Sequence, residues 1–243
     1  MKRHRKLLAA LLILLGAGVL CVGGVFLYAS DYSPADSTAA AAMVSTENVS
    51  VQETADGLVF LPAEPVAGFI FYPGGLVDHA AYAPLMHALA EEGILCVLTD
   101  MPLRLAVLDM NAADGVAEKY PQVTRWSIGG HSLGGAMAAS YAAAHPGDFA
   151  ALALLAAYST EPLPDGLAVV SLCGTADRVL DWEKYEASRV NLPATAQEIA
   201  IPGGNHAQFG SYGAQEGDGE ATISARVQLN AAVDALLPLL TGE

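Results

Sequence analysis

Basic residues and cysteine are both scarce in this chain. Its 243 residues include 11 lysines and arginines against 26 aspartates and glutamates, a net charge of −15. An acidic surface repels polyanions, so the composition argues against nucleic acid as a partner and favours neutral or cationic substrates. There are three cysteines, and Cys96 and Cys173 lie in apolar segments where we expect small buried side chains. Cysteine content this low is compatible with either side of a membrane.

Charge is absent from Leu7–Tyr28, an apolar stretch long enough to cross about 30 Å of hydrocarbon. Basic residues precede it, and no acid occurs before Asp31, which predicts a cytoplasmic N-terminus and an extracytoplasmic remainder. Residues 1–30 are therefore predicted to be a basic end plus a membrane anchor. A signal peptide is the alternative, and its cleavage would make the protein secreted. The bulky Leu27 and Tyr28, where cleavage needs small residues, favour an uncleaved anchor.

The remainder is predicted to be one α/β domain on a short tether. Residues 31–48, rich in Ala, Ser and Asp, are expected to form the tether or a short surface helix. In residues 49–243, apolar strands alternate with helical segments after a hairpin at Asp56-Gly57, which predicts a mostly parallel, doubly wound sheet. The connection Ala157–Gly166 is too short for a large cap. The predicted helices are Tyr82–Glu92, Asn111–Tyr120, Ala136–Ala144, Asp181–Leu192 and Ser224–Leu240.

The segment Gly130-His131-Ser132-Leu133-Gly134 matches the G-x-S-x-G nucleophile elbow, with an apolar strand before it and a helix-forming run after it. We expect the tight turn to strain the Ser132 backbone, and side chains at Gly130 and Gly134 to collide with the neighbouring strand and helix. The hydroxyl would then lie at the positive end of a helix. The alternative is a turn whose serine only caps that helix. The surrounding strand and helix favour a nucleophile.

An acid and a histidine that could complete a catalytic triad follow Ser132, in the order serine, acid, histidine. Asp177 follows a buried strand and a turn of small residues, a position where an acid can orient a histidine. Asp177 could instead cap the next helix, but Asp181 is available for that role. His206 lies in a glycine-rich loop after the last predicted strand, within reach of a serine at the same edge. His79, after an earlier glycine loop, is its rival as the base.

The oxyanion hole needs two backbone N–H groups. We expect one from Leu133 and the other from the loop Tyr72–Leu76, with Gly75 as the first choice and Leu76 as the second. A simple turn is the alternative for that loop. Loop position also suggests a set of substrate-contacting side chains: Leu76, Tyr82, Met101, Leu103, Tyr158, Phe209 and Tyr212. The loop Gly213–Gly219 carries two acids, too few for a calcium site, so no metal is expected.

Four stretches carry a family resemblance: Phe71–Gly75, Met101-Pro102 with Leu105–Val107, Gly129–Gly135, and Gly203–Gly210, to which Gly217–Gly219 and Ala221–Ser224 add. On these residues the region from about Val49 to Leu240 resembles the alpha/beta hydrolase superfamily, and within it the alpha/beta hydrolase fold-5 group near dienelactone hydrolases and small esterases. The resemblance implies a serine hydrolase without a cofactor, with Ser132, Asp177 and His206 as its triad. The chain departs from dienelactone hydrolases in its serine nucleophile. It departs from many esterases in the proline that begins the glycine loop.

The sequence therefore predicts a membrane-anchored, outward-facing serine hydrolase that cleaves small carboxylic esters through an acyl-enzyme. Acyl transfer and amide cleavage use the same residues and remain open. A catalytically inactive binding module with the same fold is the hypothesis from a different class. The sequence makes no prediction of oligomeric state.

Overall fold

A computed structural model describes residues 15–20 and 23–243. They fall into two compact units, with the boundary after Tyr32. In the first unit, residues 15–20 and 23–30 are helical. Within the described ranges, no helix combines the length and the apolar character that a membrane crossing requires. Much of the predicted anchor, namely residues 7–14, 21 and 22, lies outside those ranges.

The second unit is built on one eight-stranded sheet in the order β1-β2-β4-β3-β5-β6-β7-β8. Strands β1 and β2 form an antiparallel hairpin, β2 pairs antiparallel with β4, and every other neighbouring pair is parallel. The predicted hairpin and the mostly parallel sheet are thus confirmed. The strands are β1 (Val49–Thr54), β2 (Gly57–Pro62), β3 (Ala67–Tyr72), β4 (Ile94–Thr99), β5 (Trp126–His131), β6 (Ala151–Leu155), β7 (Ala168–Gly174) and β8 (Gln197–Ile201).

The helices of this unit begin and end at capping signals. Asp181 accepts the Lys184 N–H at the start of one helix, and Ser224 accepts the Val227 N–H at the start of the last one. Gly242, with φ of 83°, ends that last helix. The α-helices are α1 (Ser37–Ala42), α2 (Ala83–Glu91), α3 (Leu133–Ala144), α4 (Trp182–Ser188) and α5 (Ala225–Thr241).

The sheet separates two hydrophobic cores, because successive side chains of a strand point to opposite faces. Phe69 and Phe71 pack with α2 and α5, whereas Ile70 and Tyr72 pack with α3. Burial of each such side chain contributes about 1.5–3 kcal/mol to stability. Cys96 and Cys173 lie within this described unit as buried free thiols, as predicted. Burial raises the pKa of the Cys173 thiol to about 11.

The predicted helix Asn111–Tyr120 is wrong. This segment forms turns and a single 3-10 turn at Ala117–Lys119. Tertiary hydrogen bonds override its helix propensity, because the buried Tyr72 hydroxyl accepts the Ala113 N–H and donates to the Met110 carbonyl. Gly115, with φ of 70°, also breaks the helical backbone.

Smaller differences affect element ends. The helix predicted as Asp181–Leu192 ends at Ser188 and continues as a 3-10 turn. Strand β5 continues through His131, and α3 begins at Leu133. Ser132 is therefore the single residue between strand and helix.

Candidate active site

The functional candidates gather at one edge of the sheet because their strands are parallel. Gly75 follows β3, Ser132 follows β5, Asp177 follows β7 and His206 follows β8. Parallel strands end at the same edge, so loops that are distant in sequence become neighbours there. This edge is where α/β proteins bind ligands.

Ser132 has a backbone conformation that residues with a side chain seldom adopt. Its φ is 52° and its ψ is −123°. The flanking glycines permit the turn: a Cβ at Gly130 would lie 2.5 Å from the Tyr72 carbonyl oxygen, and a Cβ at Gly134 would lie 2.2 Å from that of Pro73. Within the described part of the chain, the Ser132 side chain caps no N–H of α3. The capping interpretation is therefore wrong, and the collisions predicted for Gly130 and Gly134 are confirmed.

Asp177 and His206 form a buried acid–histidine pair. Asp177 Oδ2 lies 2.8 Å from His206 Nδ1, and the two residues are 4% and 2% exposed. Asp177 Oδ1 accepts the N–H groups of Val179 and Leu180 at 2.9 and 2.8 Å, which stabilises the carboxylate and fixes its orientation. A carboxylate can only accept, so Nδ1 donates in this bond, and Nε2 is the nitrogen that serves as the acceptor in a neutral imidazole with this tautomer. That arrangement suits a general base.

The contact between this pair and the elbow runs through His131. The rings of His131 and His206 have centroids 4.5 Å apart, and His131 directly precedes Ser132. Among the described residues, no hydrogen bond joins Ser132 to His206. In enzymes without substrate this bond is often long, and it tightens in the complex.

His79, the rival base, lies elsewhere on the same edge. Its Nδ1 is 3.4 Å from Asp100 and 3.6 Å from Asp78, both exposed to solvent more than Asp177 is. Asp181 caps α4, so it plays the structural role that the sequence allowed for either aspartate. These placements favour His206 over His79 as the base.

The two N–H groups predicted to bind an oxyanion, those of Leu133 and Gly75, lie beside the Ser132 turn. Leu133 begins α3, and the first N–H groups of a helix have no partner within it. A Cβ at Gly75 would lie 2.9 Å from Leu133 Cδ2, so the two residues are adjacent. In the described residues the Gly75 N–H has no acceptor, whereas the Leu76 N–H donates to the Arg104 carbonyl at 2.9 Å. Gly75 is therefore the better donor of the two candidates.

Four of the side chains predicted to contact substrate are buried. They belong to the two cores and are exposed by 0% (Tyr82), 3% (Met101), 4% (Phe209) and 7% (Tyr212). They leave almost no surface for a substrate, which corrects the expectation drawn from loop position. Phe209 supports the site from behind, with its ring centroid 5.6 Å from that of His131.

Tyr82 has a role that the sequence did not reveal. Its hydroxyl accepts the Gly74 N–H at 3.1 Å and lies 2.7 Å from His131 Nδ1. Burial raises the pKa of Tyr82 and lowers the pKa of His131, with a smaller lowering from His206. Tyr82 thus keeps its proton and His131 stays neutral. No local pattern marks a tyrosine 49 residues away as the partner of the elbow histidine.

Gln228 is a second residue that the sequence analysis missed. This fully buried side chain on α5 accepts the Asn205 N–H at 3.0 Å and donates to the Asn205 carbonyl at 2.8 Å. Asn205 precedes His206, so the last helix holds the histidine loop in place. Arg226, Asn230 and Asp234 are also polar residues of this helix, so no local pattern marked Gln228.

The sheet order, the strained serine turn after β5 and the acid–histidine pair together define an α/β-hydrolase fold. The profile of the alpha/beta hydrolase family matches residues 68–230, and the chain belongs to that family. No match to the sequence was found among curated proteins.

Several solved structures share this fold at low sequence identity. Dienelactone hydrolase from Anabaena variabilis is 14% identical, with 80% of this chain and 100% of that chain covered and a TM-score of 0.58. Carboxyl esterase 2 from Tuber melanosporum is 12% identical, with 86% and 91% covered and a TM-score of 0.59. Thermogutta terrifontis esterase 2, phosphoramylated by tabun, is 14% identical, with 82% and 97% covered and a TM-score of 0.56. At identities this low, the similarity to these structures shows the fold alone.

Proposed function

We propose that the protein is a serine hydrolase that cleaves carboxylic esters of small molecules, with Ser132 as the nucleophile. The observation that carries the proposal is the strained Ser132 turn on the same sheet edge as the buried Asp177–His206 pair. Backbone strain of this kind costs about 1–3 kcal/mol and persists where function requires it. A binding module would gain nothing from it, which argues against the inactive alternative.

The geometry supports ester hydrolysis in two steps through an acyl-enzyme. His206 Nε2 takes the proton of Ser132 as Oγ attacks the ester carbonyl carbon. The N–H groups of Leu133 and Gly75 hold the resulting oxyanion. His206 then gives the proton to the departing alcohol as the C–O bond breaks, leaving an acyl-enzyme. A water molecule, deprotonated by His206, attacks that ester and releases the carboxylic acid, and the proton returns to Ser132.

Asp177 holds the imidazole in the required tautomer and stabilises its charged form during both steps. The names of the structural neighbours support the reaction class, because two of them are esterases and one of these two is phosphoramylated by tabun. We carry over from them only the class of reaction. Ester cleavage is our choice over amide cleavage or acyl transfer on that basis.

We further propose that the enzyme acts outside the cytoplasm, held by its N-terminal segment. The support is the apolar stretch Leu7–Tyr28 with basic residues before it and no acid until Asp31. Cleavage of that segment would release a secreted form. Protease protection of the full chain in sealed cells distinguishes an exported protein from a cytoplasmic one. Mass measurement of its N-terminus then distinguishes the anchored form from the cleaved, secreted form.

Labelling with a fluorophosphonate tests the proposed nucleophile. The full-length chain in detergent is incubated with the probe alongside Ser132→Ala and His206→Ala, and His79→Ala serves as the matched control. We expect labelling of the wild type and the control, and its loss in the other two variants. A folded wild type that fails to label would contradict the proposal and favour the binding module.

A further inference from the structure

The loop Gly213–Gly219, which contains the acids Glu216 and Asp218, packs against the proposed catalytic pair. Asp218 Oδ2 accepts the Ala207 N–H at 2.9 Å. Asp218 Oδ1 accepts the Arg178 N–H at 3.2 Å and the Gly219 N–H at 2.7 Å. Ala207 directly follows His206 and Arg178 directly follows Asp177. One carboxylate therefore joins the base loop to the acid loop.

Backbone contacts reinforce this bridge on both sides. The Gly219 carbonyl accepts the side-chain N–H of Asn205 at 2.8 Å, next to His206. A Cβ at Gly219 would lie 1.8 Å from the Ala176 carbonyl oxygen, so the Gly219 backbone abuts the acid loop directly. The Ala176 N–H in turn donates to the Gly204 carbonyl at 2.8 Å. The loop thus fills the space between the two catalytic segments.

The chemistry of this bridge requires a carboxylate. An ionised carboxylate accepts at both oxygens, whereas an amide of the same shape accepts at one oxygen and presents a donor at the other position. Hydrogen bonds from backbone N–H groups to a charged acceptor are about twice as strong as neutral ones. The three backbone N–H donors account for an acid at position 218, and a metal ion is not needed to explain it.

We propose that Asp218 is a positioning residue that fixes the separation of Asp177 and His206. This inference rests on the proposed function. The acid and base lie on loops after two different strands, and the 2.8 Å bond between them leaves little tolerance in distance. Asp218 acts on the two backbones and leaves the reacting atoms untouched. Its loss should therefore slow the chemical steps while substrate binding is retained.

The test compares Asp218→Asn and Asp218→Ala with Glu216→Gln in full-length protein. Glu216 is an exposed acid of the same loop and makes no hydrogen bond among the described residues, so its substitution controls for the loss of one charge. Steady-state kcat and KM for a short-chain p-nitrophenyl ester, the rate of fluorophosphonate labelling and Tm are measured for each protein.

We expect Asp218→Asn to lower kcat and the labelling rate about 10- to 100-fold, with KM within about twofold of the wild type, because small misplacements of catalytic groups have effects of this size. Asp218→Ala should be slower still, since asparagine retains one acceptor. Hydrogen exchange at the amides of Ala207 and Arg178 should accelerate in both variants. Glu216→Gln should match the wild type.

Two results would overturn the inference. One is a labelling rate and a kcat in Asp218→Asn and Asp218→Ala equal to those of the wild type. The other is a loss of activity that tracks unfolding and disappears when the assay temperature is lowered below Tm. A wild type that does not label contradicts the proposed function instead, so the two failures are distinguishable.

Discussion

The Tyr82 hydroxyl lies 2.7 Å from Nδ1 of His131 and joins the glycine loop to the nucleophile turn. The Gly74 N–H donates to the same hydroxyl oxygen, so the phenol proton is free to be donated to His131. A Cβ at Gly74 would lie 2.6 Å from the hydroxyl and 2.9 Å from Nδ1, which explains why this position holds glycine. Tyr82 therefore joins the two segments that carry the proposed oxyanion donors, Gly75 and Leu133.

Replacing Tyr82 with phenylalanine should impair both stability and activity. The substitution removes one oxygen and leaves the Gly74 N–H and His131 Nδ1 buried without this partner. A buried polar group that loses its partner costs about 1–3 kcal/mol. We expect a drop of that order in the free energy of unfolding, measured by urea denaturation, and a lower kcat.

Tyr212→Phe is the matched control for Tyr82→Phe. Tyr212 is a neighbouring tyrosine, 7% exposed, and its hydroxyl bonds to Gln215 instead of the glycine loop. Its variant should keep the wild-type kcat. Equal kcat values in Tyr82→Phe and the wild type would show that the Tyr82 hydroxyl does not orient the oxyanion loop.

Substitutions of Asp177 and Asp181, the two aspartates after β7, should differ clearly in their effect on kcat. Asp177→Asn keeps the shape of the side chain but cannot hold the required histidine tautomer, so kcat should fall about 10⁴-fold. Asp181→Asn retains a good helix cap and should leave kcat unchanged. Steady-state ester hydrolysis measures both effects. An Asp177→Asn enzyme with near wild-type kcat would remove Asp177 from the triad.

The parts of the fold that sequence could predict are those with a local cause. The strand Ala67–Tyr72 is a continuous apolar run, and Gly130 and Gly134 flank the serine in a fixed spacing, so both were predicted correctly. The segment Asn111–Tyr120 has helical composition but is held by hydrogen bonds to the distant Tyr72. A single sequence carries no signal for such a contact.

The same distinction applies to the candidate site. Asp177 and His206 follow recognisable strands, which made them predictable, and the structure brings them together. The assignment of Tyr82 to substrate contact rests on loop position and is wrong, because loop position does not show which way a side chain points. Asp218 belonged to a recognisable loop, but its partners are backbone N–H groups from two other loops. Only the folded arrangement of those loops shows its connection to the triad.

Gln228→Leu should destabilise the protein through the histidine loop. The leucine removes the acceptor of the Asn205 N–H and the donor to the Asn205 carbonyl. Two buried backbone groups would lose their partners, at about 1–3 kcal/mol each. Urea denaturation should show that loss. Asn230→Leu is an exposed change on the same helix and should have little effect.

A Gln228→Leu variant as stable as the wild type would contradict the two-way bond to Asn205. Activity adds a second measurement, because Asn205 adjoins His206. We expect kcat to fall in Gln228→Leu under conditions where the protein remains folded, and to stay unchanged in Asn230→Leu.

His131 should make the stability of the protein fall at acidic pH. Burial is the main cause that lowers its pKa well below the ordinary value of 6.5, and His206 adds to it. Above pH 6.5 the residue is neutral in the folded and the unfolded chain, so its contribution is constant. Below pH 6.5 the unfolded chain takes up a proton that the folded protein does not, and stability decreases by up to about 1.4 kcal/mol per pH unit.

Urea denaturation between about pH 5 and pH 7.5 tests this sign, with 6.5 as the reference value for histidine. His131→Asn keeps an acceptor for the Tyr82 hydroxyl but cannot titrate, so its stability should depend less on pH below 6.5 than that of the wild type. His79→Asn, which removes a histidine outside this cluster, should retain the slope that His131 contributes. An identical pH dependence in His131→Asn and the wild type would mean that His131 is protonated as readily in the folded protein as in the unfolded chain. The conclusion that His131 is neutral between Tyr82 and His206 would then be wrong.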